Sequence, residues 1–219
     1  MTSLPDLLGR NFAANAERPF LIDSARDRTY TYAETLAAAA AAVDTLVAHG
    51  MRRGDRVGFE LSNSPEFALL YFACLLGGFT AVPLNNALAP RDRSFILEKS
   101  RLSLLVTDSE SASDNCSVAC IVCGATGSSG DPLDARSMAA RGDSDRGMEL
   151  LGNVDPEALF SINFTSGTTS LPKGVPHRVG VLLGNAASFN KRFALGRDNR
   201  FLHVMPMAYM AGFLNTLLC

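Results

Sequence analysis

Phe164-Thr165-Ser166-Gly167-Thr168-Thr169-Ser170-Leu171-Pro172-Lys173-Gly174-Val175 is the stretch from which the rest of the chain can be read. Its chemistry suits a polyphosphate. A glycine without Cβ lets backbone amides come close to phosphate oxygens. Thr165, Ser166, Thr168, Thr169 and Ser170 add hydroxyl donors that can reorient. Lys173 adds a mobile positive charge suited to β- or γ-phosphate oxygens. Upstream, Ala158, Phe160, Ile162 and Phe164 alternate as in a strand and deliver the chain to Thr165. A strand entering such a loop places it at the carboxyl end of an α/β sheet, where phosphate loops sit. The loop is not the P-loop of kinases and GTPases, which needs glycine, four residues, glycine, lysine and then a hydroxyl. Counting from Gly167, Pro172 falls where the second glycine belongs and Gly174 where the hydroxyl belongs. A hydroxyl-rich surface turn is the bland alternative, and the lysine and the entering strand argue against it.

Working outward, Thr31 and Glu34 form a capping box that starts a helix rich in alanine, which closes at Gly50. Arg56 to Leu61 reads as a strand. Ser64 and Pro65 open a second helix running to about Gly77, and a strand from Thr80 to Pro83 follows. Pro90 starts a third helix through Leu97, and Leu102 to Thr107 is a short apolar strand. Alternating strands and helices with apolar strands imply a largely parallel α/β sheet flanked by helices. The segment from Gly124 to Glu149 is rich in glycine, serine and aspartate and reads as a surface excursion within one domain.

Composition narrows the function classes. Hydrophobic residues make up 47% and charged residues 19%, which excludes disorder. A net charge of -2 gives no electrostatic case for nucleic acid or an anionic membrane. The first twenty residues lack the basic start and long apolar run of a secretory signal, and five cysteines do not suggest a disulfide framework. A reducing cytoplasm is expected. Two uncharged runs could be mistaken for membrane spans. Phe67 to Leu84 is interrupted by Gly77, Gly78 and Pro83; Phe201 to Cys219 contains His203, Pro206, Gly212 and Asn215. Both are expected to be soluble core, with a membrane anchor as the alternative for the second.

Thr165 to Val175 resembles the signature loop of the adenylate-forming (AMP-binding) superfamily, which includes acyl- and aryl-CoA synthetases, luciferases and peptide-synthetase adenylation domains. Ser170 stands where glycine is usual. Tyr30 to Leu36, Gly54-Asp55-Arg56-Val57, Asn63-Ser64 with Glu66, and Gly77 to Asn85 resemble scaffold segments of the same family, in the same order. The resemblance implies the amino-terminal part of a large AMP-binding domain spanning 1–219, with layered, largely parallel sheets. It implies that Thr165, Ser166, Gly167, Thr168, Thr169, Ser170, Leu171, Pro172 and Lys173 wrap the β- and γ-phosphates of ATP. Thr165 would help to hold Mg²⁺. His177 falls where the family often has a histidine shortly after the loop; a surface residue at a helix start is the other reading.

Met205 to Gly212 resembles the family's next motif, in which a side chain borders the acyl pocket. Tyr209 stands where CoA ligases often have histidine, and Ala211-Gly212 favours the CoA-ligase side. Tyr209 and Gly212 are therefore the candidate substrate residues. A core tyrosine with a satisfied hydroxyl is the competing reading. Cys116, Cys120 and Cys123 have a spacing that resembles the iron–sulfur motif of radical SAM enzymes. Yet a strand through them puts Cys116 and Cys120 on one face and Cys123 on the other, so ordinary buried cysteine is preferred.

The implied activity is carboxylate activation by ATP, then transfer to CoA or a carrier-protein thiol, as in fatty acid metabolism. The resemblance leaves room for a homodimer. It also places the ribose-binding aspartate, the hinge and the catalytic lysine beyond Cys219, so the expectation is a truncated piece inactive alone, with no catalytic residue within it. The alternative is a non-catalytic nucleotide-binding or regulatory module that keeps the phosphate loop.

Overall fold

The computed structural model describes residues 4–114, 116–123, 131–165 and 171–212. Helix α1 (Leu4–Ala14) precedes a two-stranded antiparallel ribbon, β1 (Pro19–Asp23) and β2 (Arg28–Thr31). Helix α2 (Tyr32–Ala48) starts as its sequence dictates. The Thr31 hydroxyl accepts from the Glu34 N–H at 3.1 Å, and the Glu34 carboxylate accepts from the Thr31 N–H at 2.9 Å. The two reciprocal bonds satisfy amides that the helix itself leaves unpaired. The alanines of α2 are buried nearly all round, so other elements must cover every face of this helix.

The main sheet has six strands in the order β6-β5-β3-β4-β7-β8: β3 (Arg56–Glu60), β4 (Thr80–Pro83), β5 (Leu104–Thr107), β6 (Ala119–Val122), β7 (Leu159–Thr165) and β8 (Lys173–Arg178). The first five are parallel, and β8 runs antiparallel to β7 at the edge. The apolar run of Phe67 to Leu84 resolves into helix α3 (Pro65–Gly77) and β4. Among the described residues no helix is long and apolar enough to cross a membrane. Ser64 caps α3 by accepting from the Phe67 N–H, with proline in the first turn. Helix α4 (Pro90–Ser100) runs about one turn past the expected Leu97, and the Ser100 hydroxyl in its last turn donates to the Ile96 carbonyl at 2.5 Å.

The two faces of the sheet carry separate cores. Val57, Phe59, Leu104 and Val106 face α2 and α3, whereas Val82, Leu84 and Leu105 face Ile96 of α4. The connection β3-α3-β4 thus lies on one face and β4-α4-β5 crosses back over the other. The crevice between the carboxyl ends of β3 and β4 is therefore a topological switch point, the place where open α/β sheets bind ligands.

Two expectations need correction. The polar stretch up to Glu149 is not simply an excursion: it contains α6 (Ala135–Arg141) and most of α7 (Ser144–Gly152), which follow the short α5 (Glu110–Asp114). Asp134 and Asp143 cap these helices, and Leu133, Ala135, Met138 and Leu151 are buried in the core shared with α2. Gly142 permits the approach, since a Cβ there would lie 2.1 Å from the Ala37 carbonyl oxygen. The second correction concerns β7. A bulge between Leu159 and Ser161 reverses the phase of the strand, so Phe160 joins the α2–α3 core while Ile162 and Phe164 join the α4 side. Helix α8 (Val179–Phe193) follows β8.

Candidate functional site

Thr165 ends β7 and Lys173 begins β8, and the two are register partners across the antiparallel ladder. The Thr165 hydroxyl lies 3.5 Å from the Lys173 carbonyl oxygen, a weak bond that a stronger partner can displace. Ser166, Gly167, Thr168, Thr169 and Ser170 lie outside the described residues. Of the rest of the loop, Leu171 and Lys173 are exposed and Pro172 is buried. The ends of the loop are thus pinned together at the carboxyl end of a parallel strand, with an exposed ammonium and an exposed hydroxyl at its base.

This connection is strand–loop–strand. In a P-loop the glycine segment opens directly into a helix whose N-terminus faces the phosphates. Here α8 begins only at Val179, after the six residues of β8, so among the described residues no helix N-terminus meets the base of the loop. Positive charge at the base of the loop comes from Lys173. His177 is on β8 opposite Ser161 rather than at a helix start, and burial lowers its pKa from 6.5. Pro176 is tolerated because β8 is an edge strand.

The Met205-to-Gly212 segment crosses the switch point and is held there by side chains from three strand ends and from α3. Asn63, beyond β3, donates to the Met205 carbonyl at 2.9 Å and accepts from the Met207 N–H at 2.8 Å. Asn163 of β7 reaches the Ala208 carbonyl at 3.5 Å, and the Tyr71 hydroxyl of α3 donates to the Met207 carbonyl at 3.2 Å. Asn85, beyond β4, donates to the Tyr209 hydroxyl at 2.7 Å. Asn163 is two residues from Thr165, so the segment and the base of the loop share one strand end. Tyr209 is 45% exposed and is not a core tyrosine. Gly212 is buried against the segment itself: a Cβ there would sit 2.3 Å from the Pro206 carbonyl oxygen. Sequence reasoning missed Asn63, Asn85 and Asn163 as a set, because what unites them is the sheet order and not any spacing along the chain.

The larger cavity, about 670 Å³, lies elsewhere, lined by Val43, Arg53, Leu76, Gly77, Phe79 and Asn153 near the amino end of β4. A smaller one of about 310 Å³ lies behind the loop, between Phe95 of α4 and Phe164, Pro172 and Gly174. Neither holds the polar groups gathered at the switch point. The cysteines divide as their alternation requires. Cys116 and Cys120 pack on the α4 side, Cys123 lies in the α2–α3 core, and burial pushes the Cys123 thiol up. Three thiolates split between the two faces do not form one cluster site.

A family model described as "AMP-binding enzyme" matches residues 8–219. The chain belongs to that family. The AMP-binding chain is 30% identical over 212 residues to a 2-succinylbenzoate–CoA ligase of Bacillus subtilis, a match covering 97% of this chain and 41% of that protein. It is 31% identical to a long-chain-fatty-acid–CoA ligase of Mycobacterium tuberculosis, over 87% of this chain and 38% of the other. The chain thus spans about two fifths of the length of these relatives. Among solved structures, the Bacillus subtilis o-succinylbenzoate CoA synthetase with an acyl-adenylate intermediate superposes at a TM-score of 0.78, with 27% identity over 99% of this chain and 53% of that one. The same enzyme with ATP and magnesium ion superposes at 0.72, with 25% identity over 96% and 53%. These likenesses bear out the mixed α/β, largely parallel architecture read from the sequence.

Proposed function

We propose that this chain is the amino-terminal portion of an ATP-dependent ligase that activates a carboxylic acid as its acyl-adenylate and passes it to CoA or a carrier-protein thiol. The observation that carries the reading is the pinned hairpin: an exposed lysine and an exposed threonine hydroxyl, paired across a ladder at the carboxyl end of a parallel strand. In the proposed reaction the carboxylate attacks the α-phosphorus of ATP, and pyrophosphate leaves. The carboxylate is already nucleophilic, so the protein's task is alignment and charge neutralisation on the leaving group.

Each residue then has a task set by its chemistry. Thr165 to Lys173 wrap the β- and γ-phosphates, with the Lys173 ammonium offsetting charge on the departing pyrophosphate. Thr165 fits Mg²⁺ as one neutral hard-oxygen ligand beside phosphate oxygens, its hydroxyl being exposed and weakly bonded. When bound, that ion supplies further charge neutralisation. Tyr209 borders the acyl group across the switch point, and Gly212 lets the segment close on Pro206. The relatives bear the names of ligases that join a carboxylic acid to CoA, and solved neighbours hold an acyl-adenylate or ATP with magnesium, which supports the cofactor set ATP, Mg²⁺ and CoA. A cytoplasmic site of action accords with that chemistry. The family resemblance implies that a further lysine and aspartate complete such a site, outside the residues of this chain.

Pyrophosphate–ATP exchange tests the proposal, run on the chain with the carboxyl-terminal region of a curated relative added in trans. Exchange that depends on an added carboxylic acid is expected. ATP binding without exchange for any acid would contradict the ligase reading and support a non-catalytic nucleotide-binding module.

A further inference from the structure

The Asn85 amide settles which way the Tyr209 hydroxyl is polarised. Its oxygen, Oδ1, accepts from the Ala87 N–H at 2.9 Å, so its nitrogen, Nδ2, is the atom 2.7 Å from the Tyr209 oxygen. An amide nitrogen can only donate, so the phenol oxygen is the acceptor of that bond. The phenol proton is therefore turned away from Asn85. No acceptor for it is found among the described residues, and the side chain is 45% exposed at the crevice between β3 and β4. Asn63, Asn163 and Tyr71 meanwhile fix the main chain on either side of Met207. The result is an outward-facing hydrogen-bond donor, held by Asn85, at the kind of crevice where open α/β sheets bind ligands.

We infer that Tyr209 donates this proton to an oxygen carried on the acyl portion of the acid, with Asn85 as its positioning residue. The substrate class is thereby acids bearing a carbonyl, ether or second carboxylate oxygen beyond the reacting carboxylate, in preference to plain hydrocarbon acids. This rests on the proposal that Tyr209 borders the acyl group. The physical ground is the asymmetry of polar burial. A methyl or methylene set against the donor strips it of water and gives nothing back, whereas an acceptor oxygen replaces the water it displaces. One such mismatch typically changes affinity by about tenfold or more.

The test uses probes of matched shape: the 2-, 3- and 4-acetylbenzoates against the corresponding isopropylbenzoates, titrated calorimetrically into the 219-residue chain supplemented with the carboxyl-terminal region of a curated relative, with ATP present. At least one acetyl acid should bind about tenfold more tightly than its isopropyl partner. Tyr209→Phe should abolish that preference. Asn85→Asp is the sharper variant, because a carboxylate can accept from both Ala87 and Tyr209. The bond is kept but its polarity is reversed, the phenol proton turns inward, and the preference should vanish although the ring stays in place. A role of Asn85 in packing alone would leave the preference intact in Asn85→Asp. Should that variant fail to unfold as the wild type does, Tyr209→Phe decides. Equal binding of the paired acids, or a preference that survives Tyr209→Phe, overturns the inference while leaving the acyl-site proposal standing. Failure of every acid to bind, with ATP still bound, overturns that proposal and the inference with it.

Discussion

His177 shows how one side chain reports on the edge of the site. It lies half-buried on β8 opposite Ser161, and burial lowers its pKa from 6.5. A depressed folded-state value means that the unfolded chain takes up the proton first as the pH falls. The stability due to neutral His177 is therefore fully present above about pH 6.5 and is lost as the pH drops through the lower folded value. Urea unfolding at pH 7.5 and pH 5.5 should show a smaller loss on acidification in His177→Asn than in the wild type. An equal loss in both would show that other groups carry the acid sensitivity. At this scale the sequence was informative about identities and silent about partners. Tyr209 could be named from its motif, but Asn85, Asn63 and Asn163 lie far apart along the chain. Only the order of strands β3, β4 and β7 brings their amides to one crevice.

Among the elements, the helices with local start signals were legible: Thr31 with Glu34 for α2, and Ser64 with Pro65 for α3. Helices α6 and α7 were not, because their buried positions are few and are interleaved with serine, aspartate and glycine. Their stability comes from packing against the alanine surface of α2 rather than from a continuous apolar stripe. Gly142 is where that packing is tightest. Gly142→Ala places a methyl group within 2.1 Å of a main-chain carbonyl oxygen, which no rotamer can relieve. It should cost about 1–3 kcal/mol, read as a lowered urea midpoint with an unchanged slope. An unchanged midpoint would mean that α6 and α7 do not press on α2 as described. The phase of β7 was also hidden, since a single bulge at Leu159–Ser161 moves Ile162 and Phe164 to the opposite face from Phe160. The antiparallel return of β8 left little trace either, its residues being mostly exposed and containing a proline.

For the whole molecule, the parallel sheet and its flanking helices follow from short apolar strands alternating with helices, and that much could be read directly. The switch point could not, because it depends on α3 and α4 packing on opposite faces of the sheet. That geometry brings the base of the hydroxyl-rich loop and Tyr209 to one carboxyl edge of the sheet, Asn163 near the end of β7 reaching the Ala208 carbonyl. The proposed grip of the Thr165-to-Lys173 loop on the ATP phosphates is directly measurable through the chain's lysine content. There are only three lysines, Lys99, Lys173 and Lys191. An ATP analogue acylated on its terminal phosphate transfers the acyl group to a lysine amine held beside that phosphate, releasing ATP. Peptide mass spectrometry after brief exposure should find the label on Lys173, well above Lys99 and Lys191, and excess ATP should suppress it. Equal labelling of all three lysines, or labelling of Lys173 that ATP does not suppress, would contradict the account.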